Sequence, residues 1–306
     1  MGKALADAFA AAREVFAETD DALSQKLSRI MWDGPESDLT LTENAQPAIM
    51  AASIAIVRVM EKEFGLDVAR HAALVAGHSL GEYSALCAAG AFTLSDAARL
   101  LKVRGQAMQS AVPLGEGGMT ALIGAEIEQA EEVAAEAAAP LDEYKGGTCV
   151  VANDNAPGQV VLSGTMDALA RVPEIAKAKG IKRAIALSVS APFHCPLMAP
   201  AAQKMAEALD AVTIRPLAVP VLSNVLAQPV NEPDYIRPLL VSQITNRVRW
   251  RESILALREL GIATTVEFGG GKVLTGMVRR IDKELQTVTL DTPADLEAFA
   301  KVLSDV

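Results

Sequence analysis

The chain has 306 residues, of which 51% are hydrophobic and 4% aromatic, and its formal net charge at pH 7 is −10. This length suits one larger and one smaller domain, and a core of Ala, Val, Leu and Ile favours helices packed on a parallel sheet. The negative charge argues against a general nucleic-acid binder. We find neither an apolar run long enough to span a membrane nor a signal peptide, so we expect a cytoplasmic protein.

Before residue 117 the sequence predicts mainly helices. Helical segments are predicted at residues 1–27, 44–64, 80–89 and 97–111, and the apolar run at residues 72–76 predicts a short, buried parallel strand. Pro113 and a cluster of glycines at 115, 117 and 118 follow the last helix. These residues predict a linker.

After that linker the order of elements changes. Strands are predicted at residues 119–123, 148–152, 159–163 and 183–189, with helices at 126–139 and 167–179. The order βαββαβ predicts a ferredoxin-like subdomain at residues 117–189, inserted into a larger α/β-hydrolase-like domain with a parallel sheet. That larger domain comprises residues 1–116 and 190–306. Its second part contains predicted strands at 219–223 and 264–268 and helices at 200–209, 233–244 and 251–259.

The three cysteines are odd in number and widely spaced, at Cys87, Cys149 and Cys195. This pattern fits neither a disulfide framework nor a zinc site, and it suits a reducing compartment. Nothing else in the sequence supports metal binding. We expect no metal and no bound cofactor.

One serine lies in a pattern typical of enzymatic nucleophiles. Ser79 is the centre of Gly77-His78-Ser79-Leu80-Gly81, directly after the predicted strand and at the start of a predicted helix. Glycines two residues to either side permit the sharp strand-to-helix turn of a G-x-S-x-G nucleophile elbow. We therefore expect Ser79 to be a nucleophile, with an ordinary tight turn as the alternative.

A serine hydroxyl needs a base, and the chain has three histidines. His71 lies in a charged surface stretch. His78 adjoins Ser79, and successive side chains diverge at a strand end. His194 lies in a proline-stiffened loop just after the inserted unit, where the two domains should form a cleft. We expect His194 to be the base, with a structural histidine in a turn as the alternative.

A hydrolase of the α/β-hydrolase order would place an acidic residue between the serine and the histidine. Asp142, Asp154 and Asp167 occupy that interval, but all three fall within the inserted unit. We therefore expect a dyad whose histidine is oriented by a group other than a carboxylate. Arg104, on the second helix after the elbow, has the chemistry to clamp a substrate carboxylate, although a solvated arginine fits the same position.

Four stretches together resemble the malonyl-CoA:acyl-carrier-protein transacylase family. They are residues 77–83, Arg104-Gly105 with Met108-Gln109, Pro192-Phe193-His194, and Gln243 ahead of Val248-Arg249-Trp250. Five further segments agree with the same family in order and spacing, namely residues 44–48, 153–161, 223–225, 266–269 and 271–276. The resemblance covers essentially the whole chain. It implies a ping-pong transfer of malonyl from malonyl-CoA to the phosphopantetheine thiol of acyl carrier protein, which supplies fatty-acid synthesis.

The resemblance also implies a role for each site residue. Ser79 would carry the malonyl group, His194 would be the base and then the acid, and the backbone carbonyl near Gln243 would hold the imidazole. Arg104 would bind the malonyl carboxylate. The Leu80 N–H would be one donor of the oxyanion hole.

Four more residues are implicated in substrate binding by the same resemblance. Met108 would line the acyl pocket, and Asn153 and Asn155 would lie near the pantetheine arm. Phe193 would shape the pocket around the substrate α-carbon, where an extra methyl group would be crowded. Because discrimination by one methyl is worth about 1–3 kcal/mol, we expect a preference for malonyl over methylmalonyl and not exclusivity.

The implied partner, acyl carrier protein, is acidic in such systems, and this chain is acidic too. Transient electrostatic docking would therefore need a local basic surface. The candidates are Lys182, Arg183, Arg247, Arg249, Arg251, Lys272, Arg279 and Arg280. Scattered solvated charges are the alternative for any one of these. The family's members are commonly monomers, and we expect a monomer.

The family usually begins with a strand and a Gly-Gln-Gly-Xaa-Gln turn that supplies the second oxyanion N–H. Residues 1–6 match what normally follows that turn, so we expect either that the real start lies upstream of Met1 or that this polypeptide is impaired. Two other functions stay open. A serine hydrolase or thioesterase would pass the acyl group to water, and an impaired carrier-protein-binding subunit would result if the strand and turn were missing.

Overall fold

The computed structural model describes residues 1–141 and 144–303, and it shows a mixed α/β architecture. The elements up to residue 116 are α1 (Lys3–Ala8), α2 (Ala10–Leu23), α3 (Leu27–Asp33), α4 (Glu36–Thr40), α5 (Thr42–Phe64), α6 (Val68–His71), β1 (Val75–Ala76), α7 (Gly81–Ala88) and α8 (Leu94–Ser110). Those of the next segment are β2 (Gly117–Ile123), α9 (Ile127–Ala138), β3 (Cys149–Ala156), β4 (Gln159–Thr165), α10 (Met166–Ala178) and β5 (Arg183–Ala186).

The remaining part of the chain begins with a single 3₁₀ turn at Pro196–Met198. It continues with α11 (Ala199–Asp210), β6 (Val221–Leu222), β7 (Pro229–Val230), α12 (Pro233–Thr245), α13 (Trp250–Glu259), β8 (Thr264–Phe268), α14 (Val273–Ile281), β9 (Gln286–Leu290) and α15 (Pro293–Leu303). The predicted strand at residues 264–268 coincides with β8. The three predicted helices in this part agree with α11, α12 and α13 to within one residue at each end.

The prediction of one opening helix over residues 1–27 is wrong. The backbone is extended at Phe9, with φ −123° and ψ 131°, and left-handed at Ser24, so that α1, α2 and α3 are separate. The break at Phe9 lets its ring meet the edge of Phe64 at the end of α5, with the ring centroids 6.1 Å apart. At Phe9 the chain thus makes an aromatic contact with α5 where the opening helix would otherwise continue.

The largest core lies around α5 and α8. Met50, Ile54 and Met60 of α5 are fully buried, and α8 crosses α5 at Gly105, where a Cβ would lie 2.5 Å from the Cα of Glu43. Glycine is required for so close an approach of two backbones. The crossing places Arg104, the residue before Gly105, in the interior next to the elbow.

The strands outside residues 117–189 form short ladders. β1 pairs in parallel with β6 through Val75 and Val221, β7 adds an antiparallel edge, and β8 pairs in parallel with β9. The strand predicted at residues 72–76 is reduced to two residues. The reason is that its partner β6 has only two residues, so only Val75 and Ala76 are paired. The predicted burial is also wrong, because Val75 is half-buried and Ala76 is exposed.

Residues 117–189 form a sheet of their own. Its strand order is β3-β4-β2-β5, and every neighbouring pair is antiparallel. Helices α9 and α10 contribute to a separate apolar core that includes Leu122, Val133, Leu162 and Val172. Here the Gly158 turn is a strong local signal, and each predicted strand and helix is present, although β5 ends at Ala186 and not at residue 189.

The two parts of the chain are joined by more than their linkers. At the bulged end of β3, the Asp154 N–H donates to the carbonyl of Val248 over 3.0 Å, and the Val248 N–H donates to Ala152 over 2.8 Å. The two ends of the segment also meet, since a Cβ on Gly117 would lie 2.5 Å from Cγ of Pro192. β3 is therefore fixed to the chain just before α13.

Two further observations concern the described residues only. None of their helices is both long and apolar enough to cross a membrane. No three of their His, Cys, Asp and Glu side chains are grouped as a metal site requires.

Candidate active site

The turn around Ser79 is as sharp as the G-x-S-x-G pattern requires. Ser79 has φ 52°, a left-handed conformation that non-glycine residues rarely adopt, and α7 begins two residues later. A Cβ on Gly77 would overlap the carbonyl group of Gly81. The strand and the helix thus approach so closely that the serine at the apex is turned out of the backbone.

Asn224, which follows β6, braces this turn from both sides. Its Oδ1 accepts from the Ser79 N–H over 2.7 Å, and its Nδ2 donates to the Gly77 carbonyl over 2.8 Å. Asn224 is itself buried. One amide side chain therefore satisfies a donor and an acceptor of a strained backbone, which has no helix or sheet partners there.

Ser79 and His194 are within hydrogen-bonding distance, with 2.8 Å between Oγ and Nε2. His194 also has a positive φ, 56°, and its Nδ1 lies 2.8 Å from the backbone carbonyl of Gln243. Because that carbonyl only accepts, Nδ1 carries the proton and Nε2 is left with its lone pair. The tautomer is the one needed to take the Ser79 proton.

The imidazole of His194 is 4% exposed. Burial, and after it the nearby charge of Arg104, lower the pKa of His194 to about 3. His194 is therefore neutral at physiological pH and able to accept a proton. The same surroundings oppose the imidazolium once it forms, so a compensating negative charge would favour the reaction.

Arg104 is 1% exposed, and burial lowers its pKa, although a guanidinium stays protonated in proteins. Nη1 donates to Oε1 of Gln46 over 2.7 Å. Nη2 donates to Ser79 Oγ over 3.0 Å and to Oε1 of Gln243 over 2.9 Å. These acceptors are all uncharged, so a buried cation lies directly beside the nucleophile.

Gln243 of α12 links the dyad to a carboxylate. Besides the contacts of its carbonyl and Oε1, its Nε2 donates to the Ser79 carbonyl over 2.9 Å and to Oε2 of Glu82 over 2.6 Å. Glu82 is 3% exposed. Burial raises the pKa of Glu82 to about 7, against the lowering effect of its hydrogen bonds and of Arg104.

Three other predicted residues lie at different points of this site. Leu80 occupies the position before the first residue of α7, with φ −55° and ψ −28°, so its N–H is at the start of a helix. Met108 is buried, with its Sδ 4.0 Å from Nε2 of Gln46. Phe193 is half-buried and packs against the cores of both parts of the chain.

Asn155 and Asn153 contact other groups than Ser79. Oδ1 of Asn155 lies 2.8 Å from Nε2 of His78, whose ring meets the edge of Trp250. Asn153 is buried and pairs with Val248 through its backbone. The structure therefore brings Ser79, His194, Arg104 and Gln243 together and places the two asparagines on β3, where that strand contacts Val248 and His78.

The remaining titratable candidates lie elsewhere. His71 is exposed, and its ring bonds the backbone of Asp67. Asp154 accepts two hydrogen bonds from Nε of Arg251, and Asp167 lies in the first turn of α10. Asp142 lies outside the described residues.

Sequence reasoning assigned no role to Gln46, Glu82 or Asn224. Each is polar, buried and in contact with Arg104, Gln243 or the Ser79 backbone. The one local signal was for Glu82, a charged residue among the apolar residues of α7. A carboxylate in such a position is rarely buried without a partner.

Comparisons of sequence show extensive similarity to known proteins. The family described as "Acyl transferase domain" matches residues 1–291. The malonyl CoA-acyl carrier protein transacylase of Bacillus subtilis (strain 168) is 42% identical over 305 residues, which are 100% of this chain and 93% of that protein. The protein of the same name from Escherichia coli (strain K12) is 41% identical over 297 residues, 96% of this chain and 92% of that protein.

Solved structures give the same result. The crystal structure of acyl-carrier-protein-S-malonyltransferase from Bartonella henselae matches with a TM-score of 0.94 and 52% identity, covering 99% of this chain and 95% of that one. A type II PKS acyl-carrier protein in complex with its malonyl-transacylase gives a TM-score of 0.92 and 39% identity, covering 99% and 94%. The chain belongs to the acyl transferase domain family.

Proposed function

We propose that the chain transfers malonyl from malonyl-CoA to the phosphopantetheine thiol of acyl carrier protein, and so supplies fatty-acid synthesis. One observation carries the proposal. Ser79 Oγ lies 2.8 Å from the proton-accepting nitrogen of His194 and 3.0 Å from the buried guanidinium of Arg104. A nucleophile, its base and a cation suited to a carboxylate meet at a single atom.

The reaction would proceed in two half-reactions. Ser79 Oγ attacks the thioester carbonyl as its proton passes to Nε2 of His194, and the Leu80 N–H donates to the oxyanion. Collapse breaks the carbon–sulfur bond, and the departing coenzyme A sulfur takes the proton from the imidazolium. The pantetheine thiol then gives its proton to His194, attacks the malonyl-serine ester and releases Ser79 with the proton returned.

Acyl selectivity would come from Arg104, Met108 and Phe193. The guanidinium would bind the malonyl carboxylate, which an acetyl group lacks. Because Phe193 packs between the two parts of the chain, it has little freedom to make room for a methyl branch at the α-carbon. We infer a preference for malonyl over methylmalonyl of about 1–3 kcal/mol.

The partner would dock by its charge and insert its pantetheine arm past Asn153 and Asn155. Lys182, Arg183, Lys272, Arg279 and Arg280 are exposed and would meet an acidic carrier protein. Arg251 is less suited, because it is held by Asp154. The protein would act as a cytoplasmic monomer that needs no cofactor.

We also infer the domain organisation from the sheets. The strand order β3-β4-β2-β5 supports a ferredoxin-like subdomain at residues 117–189. The parallel pairs β1–β6 and β8–β9, with the elbow directly after β1, support an α/β-hydrolase-like larger domain formed by residues 1–116 and 190–306.

Intact-mass spectrometry after mixing with malonyl-CoA tests the function. We expect a malonyl adduct on the wild type, transfer of that adduct to added carrier protein, and no adduct on Ser79→Ala. Ser37→Ala, which changes an exposed serine on α4, should behave as the wild type. Absence of any adduct from the wild type would overturn the proposal, and rapid loss of the adduct to water without an acceptor would favour the hydrolase.

A further inference from the structure

We propose that Glu82 is a positioning residue of the transfer reaction, acting through Gln243 as the counter-charge to Arg104 and to the imidazolium of His194. The proposal rests on the malonyl transfer proposed above. Glu82 would give the Ser79–His194 dyad the carboxylate that the aspartate supplies in a Ser-His-Asp triad. Here Gln243 lies between that carboxylate and the histidine.

Two hydrogen bonds join Arg104 to Glu82 through the side-chain amide of Gln243. Arg104 Nη2 donates to Oε1 of Gln243 over 2.9 Å, and Nε2 of the same amide donates to Oε2 of Glu82 over 2.6 Å. The backbone carbonyl of Gln243 accepts from Nδ1 of His194. Glu82 and Arg104 therefore bind opposite ends of the Gln243 side-chain amide. These two contacts fix the residue whose backbone carbonyl orients His194.

Glu82 is the negative charge of this network in the absence of substrate, because Arg104 is otherwise buried among uncharged acceptors. With the malonyl carboxylate bound to Arg104, proton transfer from Ser79 would still add a positive charge on His194 in the same buried site. In a medium of low dielectric constant this is costly unless a negative charge lies close by. Glu82 supplies that charge within the same hydrogen-bonded network.

The geometry permits a substitution that removes only the charge. Oε2 of Glu82 accepts both from Gln243 Nε2 and, over 3.3 Å, from the Asn224 N–H. In Glu82→Gln the amide oxygen can occupy that place and keep both hydrogen bonds. The variant therefore separates the role of the charge from the role of the contacts.

The titratable or charged groups that face this network are Arg104 from α8, Tyr83 from α7, His78 from the elbow and His194 from the loop before α11. The pKa of Glu82 is raised to about 7, while that of His194 is lowered to about 3. Only the ionised form of Glu82 provides the counter-charge. The rate should thus fall as the pH is lowered through about 7, where His194 is still neutral.

The experiment measures single-turnover malonylation of Ser79 between about pH 5.5 and 9. Malonyl-N-acetylcysteamine is the acyl donor, because it has no phosphate to titrate. We expect the malonylation rate of the wild type to fall as the pH is lowered through neutrality. The rate of Glu82→Gln should stay constant over the same range. At high pH the variant should be about tenfold slower, as loss of one screened charge predicts, and the two profiles should meet at low pH.

Substrate binding gives the second readout. With Glu82 neutralised, Arg104 has no competing anion, so the Kd of the malonyl thioester should fall while the acylation rate falls too. A merely structural role would weaken binding and rate together. Glu207→Gln, an exposed carboxylate on α11, is the matched control and should leave both unchanged.

Two results would overturn the proposal, and one of them needs no variant. A wild-type profile that is flat from about pH 5.5 to 9 would exclude a counter-charge that titrates near neutral pH, even if Glu82→Gln did not fold. If the rate of Glu82→Gln also falls as the pH is lowered through neutrality, the group that titrates is not Glu82. Absence of malonylation from the wild type at every pH is a different result, and it would contradict the proposed function instead.

Discussion

Gly77 faces the backbone of Gly81 so closely that a Cβ on Gly77 would overlap the Gly81 carbonyl and lie 2.7 Å from the nitrogen of Glu82. Apart from its chain neighbours and the backbone of α7, no atom of the described residues lies within 4 Å of a Cβ built on Gly81. The two glycines of the motif are therefore not equivalent. We predict that Gly77→Ala destabilises the fold by several kcal/mol, on the order of the large values seen for backbone clashes, as measured by urea unfolding.

Gly81→Ala is the matched variant. It adds the same methyl group at the start of α7, where alanine is favoured over glycine by up to about 1 kcal/mol. We predict a stability equal to or above that of the wild type. A large loss in Gly81→Ala, or none in Gly77→Ala, would contradict the asymmetry.

Asn224 is predicted to control the position of the nucleophile. Asn224→Ala removes the bonds to the Ser79 N–H and the Gly77 carbonyl, and a displacement of the reacting oxygen by about 1 Å costs on the order of 10²-fold in rate. We expect that loss in single-turnover malonylation of Ser79. An Asn224→Ala variant as fast as the wild type would exclude the role.

The Asp154–Arg251 pair is predicted to stabilise the junction with the inserted sheet. Asp154 is 1% exposed, and burial raises its pKa despite the guanidinium. Arg251→Gln would leave this carboxylate unpaired, which costs about 3–5 kcal/mol. In a double-mutant cycle measured by urea unfolding, Asp154→Asn with Arg251→Gln should cost less than the sum of the two single changes.

A surface ion pair is the control for that cycle. Lys62 and Glu14 form a salt bridge between exposed side chains, so Lys62→Gln should unfold at nearly the same urea concentration as the wild type. Additive costs at Asp154 and Arg251 would show that the two residues act independently.

His194 is predicted to make stability depend on pH. Its pKa is about 3 in the folded protein and about 6.5 in an unfolded chain. Between these values the unfolded state binds the proton, so stability is complete above about 6.5 and falls as the pH is lowered, by up to about 1.4 kcal/mol per pH unit. Relative to His194→Asn, the wild type should therefore lose stability between pH 7 and 5, which urea unfolding at both values would show; a constant difference would contradict the low pKa.

Carrier-protein docking is predicted to involve α14. Arg279 and Arg280 are exposed in its last turn, and reversing both to Glu should raise the KM for acyl carrier protein far more than that for malonyl-CoA. Reversal of Lys179, a partly exposed cation just after α10 that is paired with Glu132 and Glu136, is the comparison and should change the KM for the carrier protein less. Equal effects on both substrates would refute the assignment to α14.

Local patterns predicted most elements of the chain. The strands of residues 117–189 were predicted because short apolar runs and the Gly158 turn between two of them are signals that act over few residues. The strand before the elbow was predicted too long, because its ladder depends on Val221, far away in sequence. The break at Phe9 was not predicted, since its cause is a contact with Phe64.

The residues of the site also differ in whether a local sequence pattern predicts them. Ser79 was found from its own turn, and the family resemblance is confirmed by relatives over the full chain. Asn224 and Gln46 had no local signal, because their partners are 145 and 58 residues away in sequence. An amide that braces a strained turn resembles any other asparagine until the chain is folded.

The contact between Gly117 and Pro192 has a consequence for how such a chain can vary. The segment between them enters and leaves the larger part at one place, and it carries its own apolar core. A unit whose two ends are adjacent can be exchanged, shortened or permuted without rerouting the rest of the chain. The groups bonded to Ser79, namely His194, Arg104, Gln243 and Asn224, all lie outside it, so changes within the segment leave the hydrogen-bond partners of the nucleophile in place.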